Sequence, residues 1–271
     1  MIFKIAVCFL ALCTAAYVGI CVGVWHYQRA LVYFPSPQVF AAPDLHPETV
    51  ALVSSDGVHL EAWAVASEAS RPWVLYCHGN AGNVSQYVDQ LTWWHQRGYN
   101  VMAFDYRGYG HSQGTPTEDG LYRDAEAAWR YLTEARSVAP ARIILFGESL
   151  GGGVACGLAA QHPPGALILL STFSSLVDVG HWLYPWLPVG LLATERFPSA
   201  DRVAHMTCPK LFIHSPQDEV VPFSLGRALF EAAAPPKSFY QTMGSHADSP
   251  LQREAGYGQA IDSFLRAIAR F

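Results

Sequence analysis

The chain is poor in charge: Asp, Glu, Lys and Arg make up 14% of its 271 residues, and it contains no Lys/Arg run. With a formal net charge of −5 it offers no concentrated basic face, which excludes a nucleic-acid partner held by its phosphates. C-x-x-C is absent, and the six cysteines are scattered. Cys8, Cys13 and Cys21 lie in an apolar N-terminal run, Cys77 and Cys208 adjoin strand-like runs, and Cys156 lies in a helix-like one. That spacing makes no disulfide framework, and a buried cysteine ordinarily behaves as a small hydrophobe. H-E-x-x-H is missing and Cys and His do not cluster, so no zinc site is expected. No G-x-G-x-x-G occurs, and no Lys-Ser/Thr follows a glycine loop at Walker spacing, so no nucleotide cofactor is expected. Whatever chemistry the chain performs is therefore expected to use its own side chains.

Formal charge is also absent between Ile5 and Trp25, where Phe9, Leu10, Leu12, Val18, Ile20 and Val22 continue an apolar run. As a helix this stretch is about long enough to cross the hydrocarbon core. It is expected to be a retained single-pass anchor occupying residues 1–29. A cleaved signal peptide is the alternative; against it, the run exceeds a usual signal core and lacks a clear A-x-A site. Lys4 and Arg29 flank the run on opposite sides and cancel as an orientation signal, so the membrane side stays open.

Beyond the anchor the chain has a regular rhythm. Val50–Val53 and Val58–Ala66, separated by Ser54-Ser55-Asp56-Gly57, read as a hairpin. Short apolar runs then alternate with amphipathic ones. Strands are expected at Trp73–Cys77, Asn100–Phe104, Arg142–Phe146, Ala166–Leu170, Lys210–His214 and Lys237–Gln241, with helices between them. One helix, expected over Asp119–Glu134, carries Leu121, Ala125, Ala128, Trp129 and Leu132 on one face. Near-continuous apolar strands alternating with helices predict an α/β fold with a mostly parallel sheet covered on both faces. Residues 30–271 are expected to form one domain of this kind. A helical cap is expected at about 176–207, where Trp, Tyr and Pro interrupt the rhythm.

In such sheets the active groups gather beyond the carboxyl ends of the strands. Gly147-Glu148-Ser149-Leu150-Gly151 stands between a strand and a Gly/Ala-rich helix, the context that G-x-S-x-G requires. Ser149 is thus the candidate nucleophile, on a bend where a side chain at either glycine would strike neighbouring backbone. His78-Gly79-Asn80-Ala81-Gly82-Asn83 follows another strand. Its turn can aim a backbone N–H at a developing oxyanion, and Asn80 and Leu150 are the candidate donors. His78 is read as a residue that holds this turn. Asp218 follows the strand ending at His214 and is the candidate acid, with Glu219 as its rival. His246 in Met243-Gly244-Ser245-His246 is the candidate general base, imidazole being suited to taking and returning a proton near neutrality. The order Ser149, Asp218, His246 is the one this arrangement uses. Asp105 and Arg107, in a glycine-rich turn after a strand, are read as local pairing groups.

These stretches, together with Leu31-Val32-Tyr33-Phe34-Pro35, Asp105-Tyr106-Arg107-Gly108-Tyr109-Gly110-His111-Ser112 and Asp218-Glu219-Val220-Val221-Pro222, resemble the Bem46-like branch of the α/β-hydrolases. That branch includes the α/β-hydrolase domain-containing proteins 13 and 17. The resemblance runs from about Leu31 to the C-terminus. It implies an α/β-hydrolase fold, Ser149 as nucleophile, His246 as base, Asp218 as its orienter and backbone donors at Asn80 and Leu150. Some relatives act on thioester-linked acyl chains of membrane proteins. Their short N-terminal cysteine cluster has no counterpart here, where Cys8, Cys13 and Cys21 are spread along the apolar run.

The expected activity is hydrolysis of a carboxylic ester with an apolar acyl part, as in an esterase or lysophospholipase, through an acyl-enzyme. Trp182, Tyr184, Trp186, Leu187 and Leu191 are candidate pocket residues, or else simply pack the cap onto the sheet. A protein-acyl thioesterase, a peptidase and a silent membrane-tethered scaffold are the competing readings. The expected partners are a small-molecule or lipid ester and, through the N-terminal helix, a membrane.

Overall fold

A computed structural model describes residues 1–42, 44–68, 70–248 and 255–268. The N-terminal helix α1 spans Ile2–Val32, 31 residues with a mean hydropathy of 2.5 over its most apolar window and no buried residue. Among the described residues it is the one helix long and apolar enough to cross a membrane. It runs three residues past Arg29, where the anchor was expected to end, because nothing in Ala30-Leu31-Val32 breaks a helix. Phe34–Pro35 then pairs in parallel with Ala81–Gly82. The N–H of Phe34 donates to the Asn80 carbonyl at 2.9 Å, so the end of α1 is stitched to the turn that carries Asn80.

The main sheet contains β1 (Glu48–Val53), β2 (His59–Val65), β3 (Trp73–Cys77), β4 (Asn100–Phe104), β5 (Ile143–Glu148), β6 (Ala166–Leu170), β7 (Lys210–His214) and β8 (Lys237–Gln241). Their spatial order is β1-β2-β4-β3-β5-β6-β7-β8. β2 is antiparallel to both its neighbours, and every other pairing is parallel. The sheet is therefore mixed, with the antiparallel hairpin confined to one edge. This is the α/β-hydrolase fold.

Side chains of the inner strands alternate between two cores, as the two-residue period of a strand requires. Leu75 and Cys77 enter one core and Val74 and Tyr76 the other; Leu145 and Phe146 divide in the same way. Helices α3 (Glu118–Arg130) and α4 (Leu150–Gln161) cover the first core, and α2 (Val88–Gln96) covers the second. In α3 the face Leu121, Ala125, Ala128 and Trp129 is buried, and Thr117 caps its start by accepting from Gly120 N–H at 3.0 Å. Burying the leucine alone is worth roughly 1.5–3 kcal/mol. Between β6 and β7 come α5 (Leu176–Leu183), α6 (Val189–Leu192) and α7 (Ser199–Val203). Helices α8 (Phe223–Ala232) and α9 (Ala255–Ala267) flank β8 in sequence. A 3₁₀ turn at Val84–Gln86 precedes α2, with Asn83 accepting from Ser85 N–H.

Candidate active site

The geometry begins with the bend at Ser149. Its φ of +53° lies in the left-handed region, which costs a non-glycine residue about 1–3 kcal/mol. Three hydrogen bonds hold it there. Ser149 N–H donates to the Leu170 carbonyl at 2.9 Å, and its own carbonyl accepts from Gly152 N–H at 2.9 Å and Thr172 Oγ1 at 2.8 Å. A Cβ on Gly147 would lie 2.6 Å from the Gly151 carbonyl oxygen, and one on Gly151 would collide with the Cys77 carbonyl. The tightness of this bend is why both positions are glycine.

His246, on the turn after β8, brings Nε2 to 3.0 Å from Ser149 Oγ. Its Nδ1 lies 2.8 Å from Asp218 Oδ2. The other Asp218 oxygen accepts from the N–H groups of Val220 at 3.0 Å and Val221 at 2.7 Å. Glu219, the rival acid, does something else: its Oε2 accepts from His246 N–H at 3.1 Å and so helps to seat the turn.

His214, standing before Asp218 in the chain, is not among the residues expected to act at the site. Its Nε2 donates to the Val221 carbonyl at 2.9 Å and lies 3.4 Å from Asp218 Oδ2, giving the carboxylate a second imidazole. The signal was its place at a strand end four residues before Asp218. Burial works to raise the Asp218 pKa, but hydrogen bonds from His214, His246 and Val221 N–H outweigh it and hold the group below the usual carboxylate range. With the folded value depressed, Asp218 contributes stability above its unfolded pKa of about 3.9, and loses it as pH falls below that. Glu148 went unsuspected. It accepts from the Tyr76 hydroxyl, and burial raises its pKa.

Asn80 and Leu150 line the cavity that opens on Ser149. The Asn80 turn is firmly held: its carbonyl accepts from Tyr109 Oη at 2.8 Å, and its Nδ2 donates to the Val32 carbonyl at 3.0 Å. His78 is fully buried beneath this turn, its ring centroid 4.3 Å from that of Tyr106, whose hydroxyl donates to the His78 carbonyl. The Arg107 side chain pairs with Asp56 and Asp124, away from Ser149.

His78 and Asp105 make a matched pair. His78 Nε2, 3.6 Å from Asp105 Oδ1, has no hydrogen-bond partner among the described residues, and Asp105 accepts from Val84 N–H at 2.7 Å. Burial lowers the imidazole pKa to about 4 and raises the carboxyl to about 7. Between about pH 4 and 6.5 the two neutral groups oppose each other. The depressed base adds stability as pH rises, and the raised acid removes it, each by about 1.4 kcal/mol per pH unit. Asp105→Asn is therefore expected to leave stability rising with pH across this window, and His78→Asn to leave it falling. Urea unfolding at several pH values reads both slopes, and equal slopes would refute the pairing.

The cavity holds about 300 Å³ and is lined mainly by apolar side chains. Tyr184 and Leu187, expected there, line it. Trp182, Trp186 and Leu191, also expected, do not: they are 52%, 55% and 88% exposed and face outward. Trp182 and Leu191 lie on the outer faces of α5 and α6 and Trp186 on the turn between them, so proximity in sequence did not place them on one wall. A further wall was not foreseen. It comes from α1, through Val24, Gln28, Leu31 and Val32.

Residues 68–194 match the family described as "Serine aminopeptidase, S33". The chain is 42% identical to the uncharacterized protein Rv2307c of Mycobacterium tuberculosis, covering 93% of this chain and 92% of that one. It is 32% identical to the α/β hydrolase domain-containing protein WAV2 of Arabidopsis thaliana over 90% of this chain and 89% of the relative. It is 30% identical to protein bem46 of Schizosaccharomyces pombe over 89% and 87%. Among solved structures, the Pyrococcus furiosus esterase Pf2001 superimposes with a TM-score of 0.72 at 19% identity, covering 88% of this chain and 98% of that one. The esterase domain of a Rhodothermus marinus protein does so with a TM-score of 0.61 at 25% identity, over 83% and 98%. Fold and family together define a serine hydrolase. The chain belongs to the α/β-hydrolase family and is related to esterases and S33-type hydrolases.

Proposed function

We propose that this chain is a membrane-anchored carboxylic-ester hydrolase of the Bem46-like branch, with Ser149 as its nucleophile. The observation that carries the reading is the continuous contact from Ser149 Oγ through His246 to Asp218, opening on an apolar cavity. In this reading His246 takes the Ser149 proton as Oγ bonds to the ester carbonyl carbon. The N–H groups of Asn80 and Leu150 hold the oxyanion. The carbonyl–oxygen bond to the alcohol then breaks, and His246 returns the proton to the departing alkoxide. Water, deprotonated by the same ring, releases the acid from the acyl-serine. Asp218 keeps His246 in the tautomer that faces Ser149.

Residues 1–29 would serve as the anchor, residues 30–271 as the catalytic domain, and the excursion at about 176–207 as its cap. Aminopeptidase action, which the S33 family name suggests, is disfavoured by the cavity itself. Its lining carboxylate, Glu195, already accepts from Arg29 Nε at 3.0 Å and from Tyr33 Oη at 2.6 Å, leaving it poorly placed to hold a substrate ammonium. Paired oxygen esters and thioesters of two to sixteen carbons test the proposal. Rates are expected to rise about tenfold or more from two carbons to the preferred length as apolar surface is buried. Equal rates at every length would overturn the apolar-acyl assignment, and a thioester preference at every length would make the enzyme a thioesterase.

A further inference from the structure

The wall that α1 contributes to the cavity leads beyond the hydrolase reading. From Val24 to Val32 the helix borders the cavity for about 12 Å, at 1.5 Å per residue. The cap borders it through Leu183, Tyr184 and Leu187. The two are bonded along their seam. Gln28 Nε2 donates to the Leu192 carbonyl at 3.2 Å, and Gln28 Oε1 accepts from Thr194 N–H at 2.7 Å. Farther toward the N-terminus, Tyr17 Oη donates to the Trp186 carbonyl at 2.8 Å.

That last bond fixes the depth of the cap. The uncharged run of α1 ends at Trp25, and Tyr17 lies eight residues inside it, about 12 Å along the axis. If α1 crosses a bilayer, the cap segment at Trp186 must lie alongside its membrane portion. The cap is built for that depth: from Gly180 to Thr194 it has no formal charge, and Trp182, Trp186 and Leu191 face outward. An exposed apolar patch continuous with an apolar helix has bilayer lipid as its natural occupant.

We propose that the cap rests in one leaflet and that the substrate is a single-chain lipid ester entering Ser149's cavity sideways from that leaflet, along the seam between α1 and the cap. The claim rests on the hydrolase reading and names its substrate class. A cavity of about 300 Å³ is at the small end of ligand sites, which suits one acyl chain and not two. The ester carbon–oxygen bond breaks, water supplying hydroxyl to the acyl group and a proton to the alcohol.

The test uses the full chain in phosphatidylcholine nanodiscs, with 1-oleoyl-lysophosphatidylcholine as bilayer substrate and p-nitrophenyl acetate as soluble substrate. In Trp182→Glu/Trp186→Glu, the ratio of lysolipid to acetate turnover is expected to fall at least tenfold. Phospholipids brominated on the acyl chain should quench the native fluorescence, and Trp182→Phe/Trp186→Phe should lose part of that quenching. Acetate turnover and fluorophosphonate labelling with an unchanged ratio would overturn the lateral route while leaving the hydrolase reading intact. Normal acetate turnover with no cap quenching would do the same, and a dimer formed through the cap would identify a second copy as its occupant instead. Failure of both substrates and of labelling, in folded protein, would remove the hydrolase reading and this proposal with it.

Discussion

Ser149→Ala is expected to lower kcat on a short ester by about 10⁴-fold or more and to abolish fluorophosphonate labelling, with little change in KM. The loss is large because Ser149 Oγ is the atom that would bond to the carbonyl, and the methyl of alanine cannot. His246→Ala should cost a similar factor, and the double variant little more than either alone, since the two groups act as a unit. Asp218→Asn should be severe as well, at about 10⁴-fold. An amide there presents N–H where His246 Nδ1 now meets a carboxylate, or else turns that N–H toward the Val220 and Val221 donors. The first orientation forces the opposite tautomer on the ring, and the second keeps the tautomer only by setting the amide N–H against two backbone donors. The measurement is steady-state kinetics beside labelling of the same preparations. Strong labelling of Ser149→Ala would mean that another residue is the nucleophile.

The largest expected loss of stability is at Arg107. Its guanidinium is almost wholly buried and makes a fork to each of two carboxylates: Nη1 to Asp56 Oδ2 at 2.8 Å, and Nη2 to Asp124 Oδ1 at 2.8 Å. Asp124 is fully buried, and it also accepts from Arg107 Nε at 3.1 Å and from Arg107's own backbone N–H at 2.8 Å. Burial raises the Asp124 pKa against the pull of Arg107, whereas at the more open Asp56 the hydrogen bond from Arg107 prevails and lowers it. Arg107→Met removes the cation and leaves a buried carboxylate uncompensated, which costs about 3–5 kcal/mol. For a domain of this size that is a fall in Tm of roughly 10 °C. Arg107→Lys should recover little, because a point charge cannot serve two planar carboxylates at once. The turn also supports the site, since the hydroxyl of neighbouring Tyr106 donates to the His78 carbonyl beneath Asn80. A thermal scan decides the matter; a Tm within 2 °C of the unaltered chain would show that the cluster contributes nothing measurable.

Ser149 and Arg107 are both visible in the sequence, but their surroundings are understood only in space. The bend at Ser149 was legible because its requirements are local: a strand, two glycines that cannot carry a Cβ, and a helix start, all within a few residues. The strand rhythm was legible for the same reason, since a buried strand announces itself in five apolar residues. The length of α1 was nearly so, apart from the three residues by which it overran its expected end.

Reaction class, sheet and apolar N-terminal helix could thus be read without coordinates, because each follows from neighbours along the chain. Coordinates were needed to learn that Glu219 steadies a backbone while Asp218 faces His246, that His214 shares that carboxylate, and that Arg107 belongs to a buried cluster. The same holds for α1 walling the cavity while Trp182, Trp186 and Leu191 face away from it. These are contacts between segments far apart in the chain. No local spacing encodes them, and they exist only once the sheet has set where its strands end and the segment between β6 and β7 has packed against α1.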